Sequence, residues 1–322
     1  IPQSVIFSGN EYLVTGIGKK AFIGCLNVQS YVLPTSIKYI DDYAFSSNYA
    51  LTSINIPNSV ERIGKGAFVA DESVSFSLPE HLKIIDDNAF MYCSNLVLDY
   101  LPNSLTYIGN SPFWGCDVLD IDTLFFNDSL KHIGDYAFRN CTNLKEMTLN
   151  VGTKPGNGLF YGCTSLEKVK FGSNFKTSDV QSFFRLFTSC TNLKTIEGLS
   201  NLKTSKVTDF GRLFNGCTSL ESIDLSSFDT SKVTDMVYLF DGCTNLQEIK
   251  GLENWDTSNV TNMSNIFDNC ESLKSLNVSA WDVSNVKSLA WSFYNLDGLT
   301  KLDLSNFTIK PDTITYTFRN CD

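Results

Sequence analysis

The sequence predicts a solenoid, a fold in which short repeats stack as successive turns around one hydrophobic core. The first observation is a phenylalanine that recurs every 22 to 25 residues up to Phe160 and every 25 to 27 residues beyond it. The second is an aliphatic residue six positions after each of these phenylalanines except the last. The third is a segment, Thr230–Leu246, whose pattern also begins at Thr204 and at Thr257. Periods of this length are typical of repeat architectures.

The two columns of apolar residues set the expected size of the array. The phenylalanine column has thirteen members and therefore predicts about thirteen turns: Phe22, Phe45, Phe68, Phe90, Phe113, Phe138, Phe160, Phe187, Phe214, Phe240, Phe267, Phe293 and Phe318. The aliphatic column consists of Val28, Leu51, Val74, Leu96, Leu119, Leu144, Leu166, Leu193, Leu220, Leu246, Leu273 and Leu299. A turn that buries only one face cannot fold alone, so we expect both columns to form a shared core.

The repeat changes its length and pattern near the middle of the chain. Residues 1–155 follow the shorter period, and residues 156–322 follow the longer one. Because the phenylalanine column continues through the change, we expect one continuous solenoid with two types of turn. Nothing in the pattern marks a free linker between them.

Each turn is predicted to place a short strand on one face. In Leu51–Ile56 the apolar residues alternate at the end of the segment, as a strand with one buried side requires. Pro57 ends that strand because it has no N–H to donate. Stacked strands of this kind predict a parallel β-sheet on one face of the solenoid.

The opposite face is predicted to differ between the two halves. In the first half, the segments are long enough only for turns. In the second half, Val233, Met236, Leu239 and Phe240 have helical spacing, and the expected N-cap residue is Thr234 or Ser231. We therefore expect short helices in the turns of the second half.

Composition excludes several classes of partner. The net charge is −10 and the isoelectric point is near 4.7, which argues against binding to nucleic acid or to an anionic membrane. No apolar run is long enough to span a bilayer. The chain begins at Ile1 without a leader, so we expect a mature or excised segment whose targeting signal lies outside it.

The ten cysteines are predicted to be buried free thiols. Each lies three residues after a column phenylalanine: Cys25, Cys93, Cys116, Cys141, Cys163, Cys190, Cys217, Cys243, Cys270 and Cys321. Asn48, Asp71 and Leu296 occupy the same slot in other turns. Side chains stacked in parallel direct their sulfur atoms the same way, which suits disulfide formation poorly. No paired cysteines or clustered histidines suggest zinc.

Other recurring residues have both a structural and a functional interpretation. His81 and His132 are far apart, and we place His132 in a variable surface slot. Phe175, Phe228, Trp255, Trp281 and Phe307 recur in one slot, and packing between turns is favoured over a stripe for stacking sugars or peptides. Asp209, Asp235 and Asn262 also align; capping of a helix start is favoured over calcium binding. We predict no catalytic, cofactor or metal site.

The outward strand positions are the candidate protein-binding face. These residues alternate with the buried positions of the strands: Glu146, Thr148, Lys168, Lys170, Thr195, Glu197, Ser222, Asp224, Glu248, Lys250, Ser275, Asn277, Lys301 and Asp303. Ser53 and Asn55 hold the same positions in an earlier turn. A polar surface of mixed sign suits a broad protein contact better than a small-molecule pocket. Solubility alone explains such a surface equally well.

Both halves resemble a known family. The pattern Leu-Pro-x-Ser-Leu-x-x-Ile-Gly-x-x-Ala-Phe-x-x-Cys in the first half resembles the BspA-like, Treponema pallidum-type leucine-rich repeat. The pattern Thr-Ser-x-Val-Thr-Asp-Met-x-x-Leu-Phe-x-x-Cys in the second half resembles the repeat of BspA-type surface proteins and mycoplasma lipoproteins. Departures occur at Ser111–Phe113, at Phe125–Phe126 and at Leu289–Phe293.

The resemblance implies a leucine-rich-repeat solenoid in a secreted or surface-anchored protein of a host-associated bacterium. It implies adhesion to a host matrix protein such as fibronectin or fibrinogen, or to another bacterial surface, and it carries no catalytic residues. Two alternatives stand beside this hypothesis of an extracellular binding module. One is a structural stalk that presents another domain. The other is a glycan-active enzyme that uses Trp255 and Trp281 with Asp256 and Asp282, which the repetition of these residues disfavours. No oligomeric state is predicted.

Overall fold

The chain folds as two compact units, Ile1–Gly156 and Asn157–Asp322. The computed structural model describes residues 1–96, 98, 100–117, 124–126, 129–150, 152, 154–308 and 314–320. Leu119 and Cys321, two members of the predicted columns, lie outside the described residues. Each unit is a stack of parallel coils in which backbone groups of one turn bond to the next. The expected continuation of the two units as a single solenoid stays a prediction.

Twelve short strands lie in the described part of the first unit. Their bounds are β1 Ser4–Phe7, β2 Asn10–Leu13, β3 Gly16–Ile17, β4 Ser30–Val32, β5 Tyr39–Ile40, β6 Ser53–Asn55, β7 Arg62–Ile63, β8 Ile84–Ile85, β9 Tyr107–Ile108, β10 Leu124–Phe125, β11 His132–Ile133 and β12 Glu146–Leu149. β1 and β2 form an antiparallel hairpin at the start of the unit. A six-stranded parallel sheet has the order β11-β9-β8-β7-β5-β3, and two further parallel pairs join β4 to β6 and β10 to β12.

Strands of two residues can form a stable sheet here because each one buries its second residue. The inward residue is an isoleucine in all six strands, and all six side chains are buried: Ile17, Ile40, Ile63, Ile85, Ile108 and Ile133. The outward residue varies and is glycine, tyrosine, arginine, isoleucine or histidine. The repeated isoleucine therefore fixes the register of the sheet, because a shift by one residue would expose the whole row.

The described residues of the second unit form four strands and a row of single-residue bridges. The strands are β13 Lys168–Phe171, β14 Thr195–Glu197, β15 Ser222–Asp224 and β16 Glu248–Lys250. β13 pairs with β14 and β15 pairs with β16, both in parallel. On another side of the coils, parallel bridges link Ser182, Asp209, Asp235, Asn262 and Ser288 from turn to turn.

Stacked phenylalanine rings form the core of both units, as the sequence predicts. In the first unit, rings from Phe22 to Phe138 lie 5.3 to 5.7 Å apart between centroids and nearly parallel. In the second unit, rings from Phe160 to Phe318 lie 5.5 to 6.0 Å apart. The described aliphatic residues from Leu51 onward pack beside the rings and are buried up to Leu273.

The short helices expected in the second half are replaced by turns. Among the described residues, the helices are two 3₁₀ turns, Leu199–Asn201 and Leu252–Asn254. The N–H groups of Met236, Tyr238 and Phe240 donate to carbonyl groups of the next coil, so they cannot make the bonds of an α-helix. Tyr238 has a φ of 56°, in the left-handed region. The apolar residues therefore recur at about every third position because consecutive tight turns each place one side chain in the core.

The part of the chain that the structure describes has no helix of the length and hydropathy needed to cross a bilayer.

Candidate functional site

The residues of the predicted protein-binding face point outward from the strands, and the residues between them point into the core. On β12, Glu146 is exposed and Thr148 is half-buried, whereas Met147 and Leu149 are buried. In the second unit, the outward residues are exposed except for Lys168 and Glu197, which are half-buried. The face is thus present within each unit, as two separate rows of polar side chains.

On β13 and β14, charged residues of this face hold one another in place. Lys168 Nζ lies 2.6 Å from Glu197 Oε1, and Lys170 Nζ lies 3.8 Å from Glu197 Oε2. The hydrogen bond from Lys168 lowers the pKa of Glu197 below its ordinary value. These exposed pairs contribute little to stability, but they fix where the charges stand.

On β15 and β16, the charged residues are held in the same way. Asp224 Oδ1 accepts hydrogen bonds from the Ser226 hydroxyl at 2.6 Å and from its backbone N–H at 3.0 Å, and these bonds lower the pKa of Asp224. Lys250 Nζ lies 3.6 Å from Glu248 Oε2 on the same strand. The outward charges of both pairs of strands are therefore already positioned before any partner binds.

The last four predicted residues continue the row beyond the named strands. Ser275, Asn277, Lys301 and Asp303 are all exposed. A single parallel bridge between Leu276 and Leu302 holds their two segments side by side. The structure thus brings the predicted residues of the second unit together as a polar surface.

A cavity between β14 and β15 is a feature that the sequence analysis missed. It has a volume of about 530 Å³, and its lining includes Thr195, Ser222 and Asp224 from the predicted face. A signal in the sequence is the Gly-Leu-Ser-Asn segment that begins at Gly198, and a similar Gly-Leu-Glu-Asn segment begins at Gly251.

The variable slot that holds His132 forms a second outward row on the six-stranded sheet. It consists of Tyr39, Arg62, Ile84, Tyr107 and His132. Arg62 Nη2 lies 2.6 Å from Asp86 Oδ2. The His132 ring stacks on Tyr107 at 4.7 Å and is half-buried, and burial lowers the pKa of His132. The predicted surface slot of His132 is therefore partly covered by its neighbour.

The cysteine ladder is buried, with one exception. Eight described thiols have no exposed area, whereas Cys25 is half-buried. Seven of the buried thiols donate to the backbone carbonyl of the phenylalanine in the preceding turn, at 3.0 to 3.2 Å. Burial raises the pKa of these thiols, as for Cys190 and Cys217. All nine described cysteines are free, so the predicted disulfide-free ladder is present.

We expect a thiol reagent to distinguish Cys25 from the ladder. Maleimide reacts with exposed thiolates, and the buried thiols are both covered and held protonated. In the native protein, Cys25 is expected to react at least about tenfold faster than Cys190 or Cys217. Mass spectrometry of tryptic peptides after timed labelling measures each rate. Equal rates at Cys25 and Cys190 in native buffer would contradict the buried ladder.

Two polar residues replace cysteine in the ladder at consecutive turns. Asn48 and Asp71 are fully buried. Asp71 Oδ1 accepts a hydrogen bond from the Asn48 backbone N–H at 2.6 Å, while Asp71 Oδ2 has no partner. Burial raises the pKa of Asp71 to about 8. At neutral pH this carboxyl is mostly protonated, which makes it a structural group of the core.

The tryptophan stripe belongs to the core, which removes the basis for the enzyme hypothesis. Trp255 and Trp281 are 3% and 1% exposed, and their rings stack 5.9 Å apart with an angle of 2°. Trp281 Nε1 donates to the carbonyl of Leu252. Asp256 and Asp282 each accept a backbone N–H from the residue two positions ahead and face solvent. The two carboxylates proposed for the enzyme therefore bond to their own turns, while the tryptophan rings are buried in the core.

The aligned residues that were considered as calcium ligands accept hydrogen bonds from backbone groups of their own coils. The side chains of Asp209, Asp235 and Asn262 each accept a hydrogen bond from the N–H two residues ahead, at 2.7 to 3.1 Å. Burial raises the pKa of Asp209, which weakens a role as an anionic ligand. Within the described ranges, no group of three or more His, Cys, Asp or Glu side chains could hold a metal ion.

Comparison with protein families identifies both halves of the chain. Residues 15–124 match the family described as BspA type leucine rich repeat region, in six copies. Residues 156–251 and 237–322 match the family described as mycoplasma protein of unknown function, DUF285. No curated protein matches the sequence.

Solved structures are similar to the chain in fold. A leucine rich cell surface protein from Faecalibacterium prausnitzii is 22% identical over 85% of this chain and 85% of its own, with a TM-score of 0.52. A leucine-rich repeat protein from Eubacterium ventriosum is 19% identical over 94% of this chain and 93% of its own, with a TM-score of 0.50. These likenesses show a leucine-rich-repeat fold. With the stacked coils, the repeat motifs and the two family matches together, the chain belongs to the BspA-like leucine-rich repeat family, its second half to the DUF285 group.

Proposed function

We propose that the chain is an extracellular protein-binding module of a bacterial surface protein and that it acts in adhesion. The contact surface consists of the outward strand residues of each unit, which are Glu146 and Thr148 in the first unit and those from Lys168 to Asp303 in the second. Its partner is a host matrix protein such as fibronectin or fibrinogen, or the surface of another bacterium. The proposal keeps the expectation of about thirteen turns in one continuous solenoid.

The positioned charges of the strand face are the observation that carries the proposal. Lys168 and Lys170 share Glu197, and Ser226 holds Asp224. A partner that binds such a surface does not need to order these side chains first, which reduces the entropic cost of association. A broad polar surface with a few fixed charges is typical of protein contacts rather than of catalysis. The proposed surface location agrees with the description of the similar Faecalibacterium protein as a cell surface protein.

Reversing two charges on the face is expected to weaken binding. The double variant Lys168→Glu and Lys170→Glu places three carboxylates together with Glu197, so it removes the positive charge and repels an acidic partner. We expect the affinity to fall at least about tenfold, and we expect this loss to be larger at low salt than at high salt. Surface plasmon resonance against immobilised fibronectin, fibrinogen and intact bacterial cells, repeated across a salt series, measures the change.

The matched control lies away from the strands. Lys203→Glu with Lys206→Glu changes the net charge equally at two exposed positions in a loop of the second unit. Equal losses from both double variants would attribute binding to net charge and would contradict the proposed face. If the unmodified chain shows no saturable binding to any member of the panel, the alternative role as a structural stalk is favoured.

A further inference from the structure

Two arginines occupy equivalent positions in neighbouring turns of the second unit. Arg185 lies two residues before Phe187, and Arg212 lies two residues before Phe214. The Arg185 N–H donates to the carbonyl of Gly211 at 3.0 Å, so the two turns are stacked at this point, with equivalent Cα atoms about 5 Å apart. Both arginines have the same left-handed backbone, with φ values of 59° and 58°. Their side chains therefore leave the backbone on the same side of the solenoid.

Aromatic rings lie against both guanidinium groups. Arg185 Cζ lies 4.9 Å from the ring centroid of Phe184 and 5.8 Å from that of Tyr161 on the preceding turn. Arg212 Cζ lies 4.0 Å from the ring centroid of Tyr238 on the following turn. The Phe184 ring has room because Gly211 on the next turn lacks a side chain, and a Cβ atom there would lie 3.2 Å from the ring. We call the five half-buried side chains the arginine patch: Tyr161, Phe184, Arg185, Arg212 and Tyr238.

Neither guanidinium group of the patch forms an ion pair or a hydrogen bond within the described part of the chain. Arg185 Nε is even shielded from water without a partner. Asp241 acts on Arg212 only from beyond ion-pair distance, and its carboxylate accepts a hydrogen bond from Asn215 Nδ2 at 2.7 Å. Arg62 in the first unit, by contrast, pairs with three aspartates. A bound anion would give the two guanidinium groups of the patch the partners that they lack.

The surroundings of the patch favour an isolated carboxylate over a polyanion. The chain has 35 acidic and 25 basic side chains, and Asp209, Asp235 and Asp241 lie on the turns that carry Arg212 and Tyr238. Nucleic acid or a sulfated polysaccharide would be repelled by these charges. A single carboxylate needs only the planar edge of a guanidinium group, which donates two parallel hydrogen bonds to it.

The rings of the patch indicate what surrounds that carboxylate. Tyrosine and arginine are enriched at the centres of protein contacts, where apolar neighbours exclude water from the ion pair. Tyr161, Phe184 and Tyr238 are partly exposed beside the guanidinium groups, so they can contact apolar residues on both sides of an acidic residue.

We propose that the arginine patch binds an aspartate or glutamate side chain of a protein, in a segment where apolar residues flank the acidic one. The patch is a second contact surface, formed by turns rather than by strands. The proposal goes beyond the role proposed for the strand face and does not depend on it.

An array of synthetic peptides tests the proposal on the intact chain. Each peptide has about eight residues and carries one Asp or Glu among Leu, Phe and Tyr; a matched peptide carries Asn or Gln instead. Acidic peptides are expected to bind saturably in fluorescence anisotropy, and their amide counterparts to bind at least about tenfold more weakly. In NMR spectra of the chain labelled with ¹⁵N-arginine, the Nε–H signals of Arg185 and Arg212 are expected to shift when the acidic peptide is added.

Substitution of both arginines supplies the variant test. The double variant Arg185→Asn and Arg212→Asn keeps a residue that suits this backbone, because Asn265 has a φ of 56° at the equivalent position of a later turn. We expect it to bind acidic peptides at least about tenfold more weakly. The double variant Arg185→Lys and Arg212→Lys retains the charge but loses the planar group, and it is expected to weaken binding at least about fivefold.

The matched control removes the same charge elsewhere. Lys203→Asn with Lys232→Asn changes two exposed residues of the second unit and is expected to alter peptide affinity less than about twofold. Equal losses from the control and from the arginine variant would attribute binding to net charge and would overturn the proposal.

The proposal and the proposed function fail in different ways. If the array yields no saturable binding that depends on the carboxylate, or if the double asparagine variant binds acidic peptides as the unmodified chain does, the arginine patch is not such a site. Saturable binding of heparin oligosaccharides through the patch, with no binding of acidic peptides, overturns the commitment to a protein carboxylate. None of these results involves Lys168 or Lys170, so the strand face is tested separately by its own charge reversal.

Discussion

Replacing Asp71 with asparagine is expected to remove a large pH dependence from the stability of the first unit. Asp71 is fully buried, and burial raises its pKa to about 8, whereas an unfolded chain gives an aspartate a pKa of about 3.9. Between these values, the folded state keeps a proton that the unfolded state has lost. Stability therefore falls as the pH rises, by about 1.4 kcal/mol per pH unit in this window.

Asparagine retains the oxygen that accepts the Asn48 N–H but does not titrate. Urea unfolding at about pH 5 and about pH 8 measures the effect. The unmodified chain is expected to lose free energy of unfolding as the pH rises, whereas Asp71→Asn is not. The difference in free energy of unfolding between the two proteins should therefore shift in favour of Asp71→Asn by on the order of 2–4 kcal/mol between these pH values. Glu72→Gln removes an exposed neighbouring carboxyl and serves as the control. Parallel pH profiles for the unmodified chain and Asp71→Asn would refute the buried, protonated carboxyl.

Truncation of a ring inside the phenylalanine stack is expected to be among the most destabilising single changes. Phe240 has no exposed area, and its ring stacks on Phe214 at 5.5 Å and on Phe267 at 5.7 Å. Phe240→Ala removes both contacts and leaves a cavity that the fixed coils cannot close. We expect the free energy of unfolding to fall by about 3–5 kcal/mol in urea denaturation.

The same substitution at the edge of the stack provides the comparison. Phe318 is 43% exposed, and its ring stacks on Phe293 at 5.5 Å. Phe318→Ala therefore removes a smaller buried area, and we expect a loss of about 1 kcal/mol or less. If Phe240→Ala cost no more than Phe318→Ala, the ring stack would not be the core that stabilises the coils.

The core could be predicted from the sequence because its residues repeat once per turn. Phe240, Cys243 and Leu246 occupy equivalent places in turn after turn, so their burial follows from the period alone. The outward residues followed from the same argument, since a strand that buries Ile223 must expose Ser222 and Asp224. Their role as a binding face remains a proposal.

The turns of the second half could not be predicted from apolar spacing. Val233, Met236 and Leu239 are three residues apart, which suits both a helix and a series of tight turns. The choice depends on where the backbone N–H groups bond. Those of Met236 and Tyr238 bond to the next coil, and this partner is not visible within one repeat.

The interruption of strand pairing after β14 depends on contacts that are not local in the sequence. Gly198 and Asn201 look like an ordinary loop in the sequence. Only the stacked coils show that both lie against the Phe171 carbonyl and leave the edge of β14 unpaired.

Site-specific photocrosslinking tests most directly whether the outward strand face contacts a protein partner. A benzophenone amino acid is placed at Thr195, Ser275 or Lys301 on the face, or at Ser205 and Lys232 on the exposed loops, and each protein is irradiated with fibronectin, fibrinogen or bacterial cells. The proposed function predicts covalent adducts from the three face positions and none from the two loop positions. Adducts from the loop positions alone, with undiminished binding, would contradict it.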